Sequence, residues 1–204
     1  PGPIYLVVNA DESEPGTFNN RILMEEDPHQ VLEGTILSCY ATKATTAYLY
    51  LRYEYPLSYR RLQQAIDECY DAGLLGKNIQ GSPFSLDIYI HRGAAAYICG
   101  EEPGLIKRLE GKRAWPGIKP PFPAVEGVFR KPTVVNNIET VACVRHIMER
   151  GVEWFKSIGV PADPKNPRDI GSYGPKLDCL SGHVGRPGCY EAPLGITCRE
   201  LIDE

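Results

Sequence analysis

Ile4-Tyr5-Leu6-Val7-Val8-Asn9-Ala10-Asp11-Glu12-Ser13-Glu14-Pro15-Gly16 begins as a β-branched and aromatic run and ends in an amide and three carboxylates, closed by a Pro-Gly turn signal. The apolar half predicts a buried strand. In open α/β sheets ligands bind just beyond the carboxyl ends of the strands, so Asn9, Asp11, Glu12 and Glu14 mark one wall of a candidate site. Taken alone, this stretch is better explained as a strand that merely ends in a polar loop. A second stretch of the same kind shifts the balance.

Outward from that strand, Asp27-Pro28 is a candidate helix start, with Asp27 as N-cap and Pro28 in the first turn. The spacing predicts a helix over 28–42 with Val31, Leu32, Thr35, Ile36 and Cys39 on one face. Residues 47–52 read as a second strand. Ser58 is the expected cap of a helix carrying Leu62, Ala65, Ile66, Cys69 and Tyr70, which stops at Gly73. A third strand over Leu86–Ile90 runs into the small-residue loop Gly93-Ala94-Ala95-Ala96, then Tyr97-Ile98-Cys99-Gly100-Glu101-Glu102 and a short helix through Leu105, Ile106 and Leu109. The alternation predicts a three-layer α/β fold, Rossmann-like, with a mainly parallel sheet and right-handed crossovers.

Tyr97, Glu101 and Glu102 thus join the first acidic loop at the carboxyl ends of two strands. Carboxylates in a first helical turn are also favoured by the helix dipole, which accounts for Glu101 and Glu102 without a ligand. Taken together, an acceptor-rich site suits hydroxyls and N–H groups such as a ribose, a ribityl chain or a flavin edge. Phosphates need backbone N–H or basic groups instead. Trp115–Pro123 is a proline-stiffened loop that presents Lys119 and Phe122, either as an aromatic platform for a purine or as a cover with Phe122 buried. Val134-Val135-Asn136-Asn137-Ile138-Glu139-Thr140 leads into a helix reaching about Arg150, with Asn136 as expected N-cap and Glu139 completing a capping box. That helix start also offers anion-binding N–H groups.

Residues 159–175 read as a proline- and glycine-rich linker. Beyond it, 176–182 and 188–192 are expected strands, and Thr197-Cys198-Arg199-Glu200 is a capping box opening a helix. The expected domains are therefore 1–158, an α/β domain, and 176–204, a truncated α+β domain. The chain has 204 residues and a formal net charge of -4, which argues against a nucleic-acid partner. No apolar run approaches the roughly 20 residues of a membrane span. Seven cysteines without a CxxC pair read as reduced thiols in a cytosolic setting, and no metal site is expected among the four isolated histidines. The start at Pro1 is expected to mark a fragment of something longer.

By Asn9–Phe18, Tyr97–Glu102, Lys119–Pro123 and Val135–Thr140, four blocks in order, the chain resembles the NADH-binding, FMN-carrying subunit of bacterial respiratory complex I, the NuoF type of NADH:quinone oxidoreductase. Diaphorase subunits of NAD-linked hydrogenases and formate dehydrogenases are its near relatives. The resemblance implies that Asn9, Asp11 and Glu12 hold the flavin, with Tyr97, Gly100 and Glu101 completing its pocket and Val135, Asn136 and Asn137 closing it beside the phosphate. It implies Glu14 over the flavin against the nicotinamide, as the one residue with a catalytic, modulating role. Glu102 would bind the adenosine ribose, and Phe122 would stack on the adenine beside Lys119. The implied reaction passes a hydride from NADH to FMN and electrons singly to iron–sulfur clusters.

The same resemblance implies a β-grasp (ubiquitin-like) domain opening at Ser181-Gly182-His183. It also implies a glycine-rich loop before the first strand and a C-terminal [4Fe–4S] domain, both outside this sequence. Implied partners are the other subunits of a multi-subunit oxidoreductase, including an iron–sulfur, thioredoxin-like one, on the cytoplasmic face of the membrane without direct insertion. Departures from the family's pattern are Ala94 and Ala95 in a loop usually richer in glycine, Pro103-Gly104 after Glu102, and Asn19-Asn20 where Lys-Asp is usual. Two other classes stay open on the residues alone: a flavin- or nucleotide-binding module without turnover, and a divalent-metal site in a hydrolase.

Overall fold

Strands Tyr5–Ala10 (β1), Thr46–Leu51 (β2) and Asp87–Arg92 (β3) form in the computed structural model, which describes residues 2–94 and 96–203. Ala95, singled out above in the small-residue loop, lies outside the described residues, as do Pro1 and Glu204. A fourth strand, Thr133–Asn137 (β4), completes a parallel sheet of order β3-β2-β1-β4. The sequence reading runs this stretch straight into the following helix, because two asparagines carry little strand preference. Pairing with β1 from Tyr5↔Thr133 to Asn9↔Asn137 supplies the ladder that local preference does not.

Helix Asn19–Glu26 (α1), also not expected, precedes Pro28–Thr42 (α2), where Asp27 accepts the Gln30 N–H at 3.1 Å as the sequence predicts. The helix Pro56–Asp71 (α3) starts earlier than expected. Pro56 fixes the backbone of its first turn and Tyr55 takes the cap position; Ser58 is instead fully buried, its hydroxyl donating to Glu25 Oε1 at 2.8 Å. Glu102–Leu109 (α4) and Ile138–Arg150 (α5) follow.

Strands alternate their side chains between two covered faces, which explains why β1 reads as an unbroken apolar run. On one face Leu6, Val8, Ala10, Ala47, Leu49, Leu51 and Ile88 pack with residues of α2, α3 and α5, among them Leu32, Leu62 and Val141. On the other, Val7 and Tyr50 pack with Cys99, Leu105, Ile106 and Val128. Three layers result, with α4 on the second face. The helices α2 and α5 approach unusually closely: a Cβ on Gly34 would lie 1.8 Å from the Val141 carbonyl oxygen. Gln30 Nε2 donates to the Ala142 carbonyl at 3.2 Å and Arg145 pairs with Glu33 at 2.9 Å along the same seam.

Residues 15–19 and 146–204 form a second unit. It contains Val152–Lys156 (α6), the short antiparallel pair Gly159–Val160 (β5) and Ser172–Tyr173 (β6), the hairpin Pro175–Leu180 (β7) with Gly188–Pro193 (β8), and Cys198–Asp203 (α7). β5 and β6 clip together the stretch expected to be an irregular linker. The capping box is as read: Thr197 Oγ1 accepts from the Glu200 N–H at 3.2 Å and Glu200 Oε2 accepts from the Thr197 N–H at 2.8 Å.

The Gly34 seam makes a sharp prediction. In a free helix alanine is favoured over glycine by about 1 kcal/mol. Here the added methyl meets backbone that no rotamer change can move, so Gly34→Ala lowers stability by roughly 1–3 kcal/mol in urea denaturation. An unchanged or raised midpoint would mean that α5 moves aside freely.

Candidate functional site

Strand order reverses between β1 and β4, the point where parallel α/β sheets open a crevice beyond their carboxyl ends. Asn9, Asn136 and Asn137 stand there: Val8 is in register with Asn136, and Asn9 with Asn137. Asn9 is bonded in three directions. Its Nδ2 donates to the Gly100 carbonyl at 2.8 Å, its Oδ1 accepts the Asp11 N–H at 3.1 Å, and its own carbonyl accepts from Asn137 Nδ2 at 3.4 Å. The loop beyond β3 is thereby drawn back to β1, and the two acidic stretches meet as expected.

Asp11 lies beside Gly100, where a Cβ would come within 3.2 Å of the Asp11 carbonyl and 3.5 Å of its Oδ2. That Oδ2 is buried and has no hydrogen-bond partner among the described residues, while Ser13 Oγ donates to Oδ1 at 3.3 Å. Burial pushes the Asp11 carboxyl up to about 6 from an ordinary value of 3.8; Ser13 and the Arg52 guanidinium pull the other way, and Glu54 and Glu14 add to the rise.

Glu12 has a different occupation from the expected flavin contact. It is 2% exposed, and its carboxylate accepts the Asn20 N–H at 2.9 Å, the Arg21 N–H at 3.1 Å and the Tyr55 hydroxyl at 3.0 Å. It therefore caps the first turn of α1, whose N–H groups have no intrahelical acceptors. Glu14 is exposed, and its Oε1 accepts the Tyr97 phenol at 3.1 Å, a bond that also raises the Tyr97 pKa.

Glu101 caps α4, accepting the Gly104 N–H at 3.1 Å. The Pro103-Gly104 departure fits this turn: proline costs no intrahelical donor there, and a Cβ on Gly104 would lie 2.4 Å from the Ile98 carbonyl. Glu102, in the first turn of α4, pairs with Lys119. Phe122 is 57% exposed, so it is a presented ring and not a buried cover. Val135 and Asn136 are half-buried on β4. Asn137, not Asn136, caps α5, its Oδ1 accepting the Glu139 N–H at 2.9 Å, because Asn136 is held within the β4 ladder.

Sequence reasoning missed Arg52, Ser13 and Tyr50. Arg52 donates its backbone N–H to the Ala10 carbonyl at 3.1 Å and its Nη1 to the Glu12 carbonyl, and it pairs with Glu54 at 3.1 Å. Its place at the end of the second strand, next to β1, was the available signal. Tyr50 is fully buried, stacked on His91 with ring centroids 5.2 Å apart, and a Cβ on Gly93 would touch its hydroxyl at 3.2 Å. Nothing in the sequence pattern distinguishes it from its neighbours. Among the described residues no cluster of three or more His, Cys, Asp or Glu is arranged to hold a metal ion, and no helix is long and apolar enough to cross a membrane.

The family described as "Nuo51 FMN-binding domain" matches residues 2–146. An NADH-quinone oxidoreductase subunit of Rhizobium meliloti (strain 1021) is 55% identical over 202 residues, which are 99% of this chain and 46% of that protein. The mitochondrial NADH dehydrogenase (ubiquinone) flavoprotein 1 of Dictyostelium discoideum is 50% identical over 202 residues, 99% of this chain and 40% of that one. Among solved structures, an NAD+-reducing [NiFe]-hydrogenase in the air-oxidized state matches with a TM-score of 0.85 at 39% identity, covering 98% of this chain and 32% of that chain. The chain spans less than half the length of these curated relatives.

The unsatisfied Asp11 carboxyl has a measurable consequence. Its folded pKa lies above the ordinary value, so the stability it contributes is fully present below about pH 3.8 and is lost as pH rises through about 6. Asp11→Asn cannot ionise. In ligand-free protein it is therefore expected to melt higher than the parent above pH 6, the difference closing below pH 4. Parallel melting curves across that range would contradict the burial of this group.

Proposed function

The chain belongs to the Nuo51 FMN-binding domain family, and on that premise we propose that it forms the FMN- and NADH-binding part of a respiratory NADH:quinone oxidoreductase. The observation that carries this reading is the buried, unpartnered Asp11 Oδ2 at the β1–β4 switch point. A fold that leaves an acceptor buried and unsatisfied costs about 1–3 kcal/mol, which a ligand hydroxyl or N–H would recover. The residues present fit FMN on that ground. Asn9, Asp11, Gly100 and Glu101 would hold the ring edge and ribityl chain, with Val135, Asn136 and Asn137 alongside and the first N–H groups of α5 toward the phosphate.

When bound, FMN supplies the redox chemistry, taking a hydride from the nicotinamide and releasing electrons one at a time. No side chain of this chain need act as nucleophile. Glu14, steadied by the Tyr97 phenol, lies exposed at the lip and is the residue we assign to modulating the nicotinamide. Glu12 acts one step removed, holding the Asp11 loop against α1 and α3. Glu102 would accept the ribose hydroxyls of NADH and, being negative, oppose the additional phosphate of NADPH; Lys119 keeps its carboxylate in place. Phe122 would stack on the adenine.

We assign 1–158 to the α/β domain and 176–204 to the opening of a β-grasp domain. The [4Fe–4S] cluster belongs, on this reading, to the remaining length of the parent subunit, and the partners are other subunits of the complex, an iron–sulfur, thioredoxin-like one among them. The complex would hold the chain on the cytoplasmic face of the membrane. A second reading, the diaphorase subunit of an NAD-linked hydrogenase, is favoured by the structural likeness at TM-score 0.85; the higher identity to the quinone oxidoreductase relative, 55% against 39%, favours the first.

Two measurements test the proposal. Titrating FMN with the chain is expected to quench flavin fluorescence, and NADH added without oxygen is expected to bleach the bound flavin; absence of quenching would remove the assigned pocket. In the full-length subunit, Glu102→Gln is expected to narrow the kcat/KM preference for NADH over NADPH by roughly tenfold, the worth of one charge-assisted hydrogen bond. An unchanged ratio would sink the assignment of Glu102.

A further inference from the structure

The β7–β8 hairpin sets Cys179 directly opposite Cys189, in an antiparallel register running from Pro175↔Pro193 to Leu180↔Gly188. Residues opposed in this way carry their side chains on one face, with Cα atoms about 4.5–5.5 Å apart. A disulfide spans Cα separations of about 4.4–6.8 Å, so the ladder already meets its requirement. Both residues are thiols and both are half-buried, within reach of a small oxidant; Cys198, by contrast, is exposed and stands outside the ladder.

We propose that Cys179 and Cys189 form a thiol–disulfide pair, closed by hydrogen peroxide and reopened by a dithiol. One thiolate attacks a peroxide oxygen, the O–O bond breaks, and a sulfenic acid and one water result. The opposing thiol then displaces the sulfenic oxygen as a second water, forming the S–S bond. Two thiols lose two electrons and two protons; one peroxide becomes two waters.

The pair is wired to a neighbour. Cys179 Sγ accepts the Phe18 N–H at 3.4 Å, and on the next residue Asn19 Nδ2 donates to the Leu177 carbonyl at 3.2 Å. Turning the Cys179 sulfur toward Cys189 weakens its hold on Phe18.

The test is peptide mapping of the native chain after graded peroxide treatment and alkylation. Expected is a peptide pair joining Cys179 to Cys189, lighter by two hydrogens and restored by dithiothreitol, while Cys198 stays open to alkylation. The oxidised form is also expected to exchange the Phe18 amide hydrogen roughly tenfold faster. In Cys189→Ser, Cys179 is expected to accumulate as sulfenic acid, trapped by dimedone. Cross-links through other cysteines only, or Cys179 and Cys189 still alkylated once Cys198 is oxidised, would overturn the proposal.

Discussion

Asn9 holds the site together. Its one side chain closes the end of β1 onto Gly100, 91 residues away, and its backbone carbonyl reaches Asn137 on β4. Each such bond contributes on the order of 1 kcal/mol net, yet leaving a buried partner unmade costs more than the bond is worth. The amide suits this post because it donates and accepts at once; a carboxylate there would repel the Gly100 carbonyl. Together with the Glu14–Tyr97 bond, this tie brings the loop beyond β3 to the end of β1.

Around that tie the carboxylates divide their labour by burial. Glu12, nearly sealed, gives both oxygens to N–H and O–H groups of its own fold, which is how a buried carboxylate is tolerated. Asp11 is left one oxygen short and drifts toward the neutral form. Glu14 and Glu101 stay exposed at the rim. Four carboxyls that look alike in a row of letters thus become a fastener, a vacant acceptor and an open margin. Of these, the vacant buried acceptor gains most from a ligand's hydrogen.

How much of this was readable beforehand depended on how local each cause is. β1, β2, β3 and the start of α2 follow from runs and caps a few residues long, as does the Thr197–Glu200 box. β4 did not, because its asparagines sit in a strand only by virtue of β1 beside them. Ser58 has the chemistry of a cap, but Pro56 starts the helix sooner and Glu25 claims the hydroxyl. That the two acidic strand ends meet was legible. The separation of Glu12 from Asp11 was not, since Asn20, Arg21 and Tyr55 come from two helices that no spacing rule connects to it.

The Gly34 contact has an evolutionary corollary. What a side chain at position 34 would strike is the Val141 carbonyl, part of the backbone of α5. Side-chain clashes are commonly relieved by trimming the partner, and such pairs drift together through sequence space. A clash with backbone offers no residue to trim. A library that randomises positions 138–150 around a substituted residue 34 should therefore yield few suppressors, and those few should work by displacing the helix that begins at Asn137's cap. Change at position 34 is therefore tied to movement of α5 itself.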